Sequence, residues 1–192
     1  MEAYEHIRQH VMKMLEEGLP DELTYHSPDH TQDVANVCEA YIEREQISPE
    51  EAELLRLGAI FHDSGFTIST NDHEEHGVEI AHKIMSDHGY TQEQIEIVSN
   101  LIRATKIPQQ PNTYLEKIIC DADLDYLGRD DFYEISDLLF RELNALGQEL
   151  DKEAWDDIQI RFLQNHHYHT DYARKNLQPM KQKRLEELMS RE

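Results

Sequence analysis

The residues best suited to chemistry are a histidine and an aspartate, His62 and Asp63, side by side after the most apolar stretch of the chain. That stretch, residues 54–61, is hydrophobic on nearly every side, which predicts a buried helix. Burying an aspartate is costly unless it is paired or bound to a metal. Imidazole nitrogen beside carboxylate oxygen suits a borderline divalent cation. The pair is therefore a candidate metal site, although a His-Asp doublet taken alone favours a satisfied polar helix cap.

An acidic run, Cys-Asp-Ala-Asp-Leu-Asp over residues 120–125, is the second candidate. Three carboxylates so close together repel each other unless a cation or solvent relieves them. On a helix Asp121 and Asp125 share a face, whereas Asp123 points elsewhere. At most one or two of them can therefore face one ion, and we expect at least one to lie on a solvated helix face.

Two more clusters place histidines at predicted helix starts. Residues 25–31 read Tyr-His-Ser-Pro-Asp-His-Thr, and Pro28 makes a continuous helix between His26 and His30 unfavourable. One of these histidines could bind a metal while the other reaches the substrate. Residues 72–77, Asp-His-Glu-Glu-His-Gly, could form an acidic helix start, or could bring a second ion or a proton donor.

Helices must position these clusters. Ser48 with Glu51, and Thr91 with Gln94, are capping boxes, and Gly65 is a predicted helix stop. No segment alternates as a strand would, and Gly and Pro are sparse. The pattern predicts an all-α domain of about eight or nine helices. The expected helices cover residues 3–17, from about 31 onward, from 49 to the stop at 62–65, 74–88, 91–104, 112–127, 130–147, 151–166 and 170–190.

The composition limits the partners. The 192 residues carry a formal charge of −22, which disfavours nucleic acid and an anionic membrane. An acidic protein that holds phosphate needs local positive charge, which a bound metal would provide. Two cysteines, no apolar leader and no run of roughly 20 apolar residues favour a cytoplasmic protein.

Taken in order, His30, the His62-Asp63 doublet and Asp123 resemble the HD superfamily of metal-dependent phosphohydrolases. Two longer segments also resemble motifs of that family: His-Asp-Ser-Gly over 62–65 and Ala-Asp-Leu-Asp-Tyr-Leu-Gly over 122–128. The resemblance covers about residues 24–130 and extends weakly to 168–174. It implies one HD-type helical domain over residues 1–192, with C-terminal helices 130–190 packed on the motif core.

The resemblance also implies the metal ligands, which would be His30, His62, Asp63 and Asp123. Asp123 is preferred over its neighbours because the family's distant aspartate commonly follows alanine. The bound ion would be one of Mn, Fe, Co, Ni, Zn or Mg.

Other roles follow from related members of the family. Residues 25–30 resemble the Tyr-His-Asn-x-x-His segment of cyclic-nucleotide phosphodiesterases, which makes His26 a candidate general acid, although Ser27 replaces the usual Asn. His73 resembles the first additional histidine of dinuclear members, and Glu74 an acidic catalytic residue of mononuclear nucleotidases. The later histidine pair is missing, so one ion is favoured and a second remains an alternative.

The expected reaction is hydrolysis of a small phosphate ester, above all a nucleotide, by a monomer or homodimer. The metal would activate a water that Asp63 orients, and His26 or His73 would protonate the leaving group. Three basic residues could hold the phosphate, although surface roles fit them equally well: Arg103, Lys106 and Arg174.

Four alternatives stay open. The chain could be a catalytically silent metal-binding or regulatory HD module, a cyclic-nucleotide phosphodiesterase, a di-iron redox member of the broader group, or a purely structural bundle. The missing histidines argue against the di-iron member, and the absence of the Gly-Tyr-Pro word argues against cyclic-di-nucleotide cleavage.

Overall fold

The computed structural model describes residues 2–191, and within them every regular element is helical, as predicted. Ten α-helices and two short 3-10 turns follow one another within these residues. No helix in this range combines the length and the hydrophobicity needed to cross a bilayer. The helices are α1 (Glu2–Gly18), α2 (Pro28–Glu45), α3 (Pro49–Phe61), α4 (His73–Asp87), α5 (Gln92–Ala104), α6 (Tyr114–Asp123), α7 (Phe132–Ala145), α8 (Lys152–Asn165), α9 (Asp171–Asn176) and α10 (Gln178–Met189), and the 3-10 turns are Ser64–Thr67 and Asp125–Gly128.

Helix α2 begins earlier than predicted. Pro28 occupies its first turn, where a missing N–H costs nothing. The Ser27 side chain accepts a hydrogen bond from the backbone N–H of His30 at 3.3 Å and caps the helix. The predicted start near residue 31 was therefore wrong, and His30 lies in the first turn of α2. As predicted, no continuous helix joins His26 to His30, because His26 precedes the helix.

Two predicted helices are each divided. The 112–127 helix ends at Asp123, and the Tyr168 hydroxyl donates to the freed carbonyl of Leu124 at 3.3 Å. The 170–190 helix breaks at Leu177, because Pro179 lacks an N–H and belongs to the first turn of α10.

Gly65 does not end a helix, because α3 already ends at Phe61. Its backbone is not left-handed either. A Cβ on Gly65 would lie 1.9 Å from the carbonyl oxygen of His73. Glycine therefore lets the first 3-10 turn pack directly against the start of α4, which brings the 72–77 cluster next to the His62-Asp63 doublet.

Helix α3 is central and packs against α1, α2, α4, α5 and α6. A separate apolar cluster joins α7, α8 and α10 to the second 3-10 turn, and Tyr25 and Tyr126 belong to that cluster. The C-terminal helices therefore pack onto the two segments that flank His30 and Asp123. The extent of one domain over residues 1–192 stays a prediction.

Candidate metal centre

Three elements bring the predicted ligands together. His30 comes from the first turn of α2, His62 follows the last residue of α3, and Asp123 ends α6. One ligand atom from each lies within 4.8 Å of the others. His30 Nε2 is 3.2 Å from Asp123 Oδ1 and 3.4 Å from His62 Nε2. Atoms bonded to one ion at about 2.0–2.2 Å lie about 3 Å apart, so the set fits a single cation.

The environment of Asp63 also fits a cation. Its Oδ2 atom is buried and has no hydrogen-bond partner in residues 2–191. Yet this oxygen lies 3.1 Å from His62 Nε2 and 3.5 Å from His30 Nε2. A buried carboxylate oxygen without a hydrogen bond is costly. A cation between Asp63 and the two imidazoles would satisfy it.

The second nitrogen of His62 fixes its orientation. His62 Nδ1 lies 2.8 Å from the carbonyl oxygen of Ala59, to which it can only donate. In the neutral ring that contact leaves the Nε2 lone pair free to face the other ligand atoms. Such a bond to the remote nitrogen is typical of histidine ligands.

His62 and Asp63 shift each other's pKa in opposite directions. Burial works against the imidazolium of His62, but the Asp63 carboxylate outweighs it and raises the pKa of His62 to about 9. Burial likewise opposes ionisation of Asp63, yet His62 holds the pKa of that carboxyl well below its usual range. Because a ligating imidazole must be neutral, a metal ion at this centre competes with a proton.

The acidic run serves several purposes. Asp121 is fully buried and accepts hydrogen bonds from the backbone N–H groups of His169 at 2.8 Å and Thr170 at 2.7 Å. Asp125 is also buried and lies 3.7 Å from Arg129. The Asp123 side chain is only 13% exposed. The expectation that one of the three lies on a solvated face was therefore wrong, and Asp121 instead fixes the segment after α8.

A cavity of about 440 Å³ adjoins the centre. Its lining includes both Asp63 and Asp123. Four more of the residues selected from the sequence also line it: His26, His73, Glu74 and Lys106.

The structure does not bring the two predicted arginines into that lining. Arg103 forms a bidentate salt bridge with the exposed Glu75, with N–O distances of 2.8 and 2.9 Å. Arg174 donates to the His169 carbonyl at 2.9 Å and to Asp171 at 2.6 Å. Lys106 does line the cavity, and its Nζ lies 3.2 Å from Asp72 and 3.6 Å from Glu74.

His26 has a partner that the sequence did not reveal. The buried Glu142 of α7 accepts the backbone N–H groups of Tyr25 at 2.8 Å and His26 at 3.0 Å, and its other oxygen is hydrogen bonded to His26 Nδ1. Burial disfavours the charged imidazole, but the bond to Glu142 outweighs it and raises the pKa of His26 above 6.5. Glu142 gave no signal because it is one acidic residue of an amphipathic helix.

His73 differs electrostatically from His26. Both rings pack on Phe66, with centroids 4.3 Å away for His26 and 3.9 Å for His73. Burial lowers the pKa of His73 below 6.5, although Asp63 and Glu74 act in the opposite direction. Of the two, His26 is therefore the better proton donor near neutral pH.

Comparison with known proteins gives one family. The model of the HD domain family matches residues 29–125, about half of the chain, and this range contains His30, His62, Asp63 and Asp123. No curated protein and no solved structure matches the chain.

Proposed function

The chain belongs to the HD domain family, and from that premise we propose that it is a metal-dependent phosphohydrolase acting on a small phosphate ester. The HD family is that of metal-dependent phosphohydrolases, and its members usually bind a divalent metal. The observation that carries the proposal is the convergence of the ligand atoms: Asp63 Oδ2, which is buried and has no hydrogen bond, lies 3.1 and 3.5 Å from the Nε2 atoms of His62 and His30, and His30 Nε2 lies 3.2 Å from Asp123 Oδ1. A purely structural polar cluster would not need to leave that oxygen unsatisfied.

His30, His62, Asp63 and Asp123 would hold the ion. When bound, a divalent cation supplies Lewis-acid polarisation of a phosphoryl oxygen and increases the acidity of water. Gln109, which the sequence did not indicate, contacts one of these ligands. Its amide Nε2 lies 3.4 Å from Asp123 Oδ2 and 3.2 Å from the Cys120 carbonyl, so it restrains the Asp123 side chain.

The protein's own proton chemistry centres on His26. Because Glu142 occupies Nδ1, the proton available for transfer is the one on Nε2. The raised pKa keeps His26 protonated to a higher pH than a free histidine. In the proposed reaction His26 donates this proton to the leaving oxygen, and the attacking water gives its proton to Asp63 or Glu74.

Lys106 is the cavity residue best suited to the phosphate, because it is the one Lys or Arg among the described residues that line the cavity. A nucleotide as the substrate, one ion rather than two, and the cytoplasm as the location all stay predictions. A second ion would have to use His73 and Glu74, whose Nε2 and Oε1 atoms are 3.6 Å apart.

A phosphate-release screen tests the proposal. The full chain would be assayed with nucleoside mono- and triphosphates, cyclic nucleotides and simple phosphate esters, each with Mn, Fe, Co, Ni, Zn and Mg. We expect turnover of at least one small ester, together with about one equivalent of metal. Full metal content without hydrolysis of any compound would instead indicate a silent binding module, and two irons with oxygen consumption would indicate redox chemistry.

A further inference from the structure

The cavity at the metal centre has a second part that the family match does not include. Helices α7 and α8, both beyond residue 125, line it with apolar side chains. We call this part the apolar chamber. Its lining includes Phe132, Leu139, Leu143, Trp155, Ile158 and Phe162.

The polar side chains of the chamber already satisfy each other. Ser136 and Gln159 are both buried, and the Ser136 hydroxyl donates to Gln159 Oε1 at 2.5 Å. Gln159 Nε2 in turn donates to Asp156 at 3.1 Å. A hydroxyl-rich ligand would have to break these bonds, whereas an apolar group would displace water alone. The chamber is therefore suited to an uncharged, apolar group.

Charge in the lining limits the number of phosphates. Four carboxylates face the cavity, those of Asp63, Asp72, Glu74 and Asp123, and Lys106 is the one Lys or Arg among the lining residues of the described chain. A divalent ion, Lys106 and the protonated His26 balance these carboxylates without an excess of positive charge, so the lining favours a ligand with as few phosphate groups as possible. A triphosphate would add charge that the four carboxylates repel.

His26 connects the chamber to the reacting atoms. Its partner Glu142 precedes Leu143 in α7 and lies three residues after Leu139, both of which line the chamber. The group that protonates the leaving oxygen is therefore held by the same helix that forms the chamber wall. The alcohol released by the reaction would lie in the chamber.

We infer that this protein hydrolyses phosphate monoesters of uncharged, largely apolar alcohols, and that the apolar chamber binds the alcohol part. This inference rests on the proposed function. Water forms the new bond to phosphorus while the bond from phosphorus to the alcohol oxygen breaks. The alcohol oxygen takes the proton of His26, the water proton passes to a carboxylate of the cavity, and the products are inorganic phosphate and the alcohol.

A series of n-alkyl phosphates from ethyl to octyl tests this inference, since their leaving oxygens are equally basic. Each methylene transferred into an apolar site should raise kcat/KM about fourfold until the chamber is full. A flat or falling series, or a preference for nucleoside triphosphates or glycerol phosphate, would overturn the inference while leaving the phosphohydrolase proposal intact.

Filling the chamber should remove the effect of chain length. Ile158→Trp is expected to reduce the gain in kcat/KM from ethyl to octyl phosphate at least tenfold. The matched control is Gln164→Trp, at an exposed position of the same helix outside the cavity lining. If Ile158→Trp does not fold, Ile158→Asn should also flatten the series. An unchanged series in the variant that folds would contradict the inference.

Binding can be followed without turnover. Trp155 is the single tryptophan of the chain and lines the chamber. Alkyl phosphonates cannot be hydrolysed, and their apparent Kd from Trp155 emission should fall as the chain lengthens. If no ester is hydrolysed with any metal, the proposed function fails, and this titration still decides the chamber. A length-dependent Kd supports an apolar ligand there, and no emission change at any length overturns it.

Discussion

The two parts of the chain contribute differently to the same cavity. The matched segment, residues 29–125, holds His30, His62 and Asp123, the group suited to a metal ion. The C-terminal segment, residues 126–191, adds no residue to that group, but it provides Glu142 and the apolar chamber. The comparison separates the residues that would bind the metal from those that would position the proton donor and select the substrate. Substitutions in the two segments should therefore have different consequences.

The largest effect is expected in the matched segment. Asp63→Ala removes the buried oxygen that contacts both imidazoles, and His62→Ala removes one of those imidazoles. Either substitution should reduce bound metal below about a tenth of an equivalent and turnover at least about 10³-fold, since hydrolysis needs the ion. Metal analysis after gel filtration and phosphate release would measure the two losses.

His82→Ala is the matched control for this prediction, because His82 lies exposed on α4, away from the centre. It should keep full metal content and full activity. Normal metal content and normal turnover in the Asp63 or His62 variant would refute the assignment of the centre.

The next largest effect is expected from substitutions at the proton donor and its partner. Unlike the substitutions of metal ligands, these should slow turnover without releasing the metal. His26→Ala should lower kcat about 10²–10⁴-fold through loss of the proton donor. Glu142→Gln keeps the size of the side chain but removes the charge that stabilises the imidazolium, so it should lower kcat about tenfold or more. Metal content should stay at the wild-type level in both variants. Loss of the ion from Glu142→Gln would mean that the two segments do not act separately.

The pH dependence of kcat/KM should report the interaction between Glu142 and His26. The pKa of His26 is raised, so the active protonated form persists above pH 6.5 and is lost as pH rises through the raised value. Glu142→Gln lowers that pKa, and the basic limb of kcat/KM should therefore move to lower pH. Glu134→Gln, at an exposed position of α7, should leave the profile unchanged. A fixed basic limb in Glu142→Gln would show that Glu142 does not control His26.

The difference between the segments also explains what the sequence could reveal. The His62-Asp63 doublet was visible because a carboxylate after an apolar helix requires a partner, and the all-α fold followed from helical periodicity. Glu142 could not be selected, and Asp121 was noticed only as part of the acidic run, without its structural role. Each looks like an ordinary acidic helix residue, and only tertiary packing brings it against the backbone N–H groups of distant residues. Pro179 is a local signal for the division of the predicted 170–190 helix, since a proline inside a helix interrupts it.

The smallest effects should come from the three basic residues. Residue type alone could not show which of them binds the phosphate. Lys106 lines the cavity, so Lys106→Ala should raise KM about tenfold with kcat nearly unchanged. Arg103 pairs with an exposed glutamate and Arg174 caps a C-terminal loop, so alanine at either position should change KM less than about twofold. Steady-state kinetics on one ester would compare the three variants. If Arg174→Ala raised KM as much as Lys106→Ala, the C-terminal segment would bind the phosphate as well as the alcohol, and the division between the two segments would have to move.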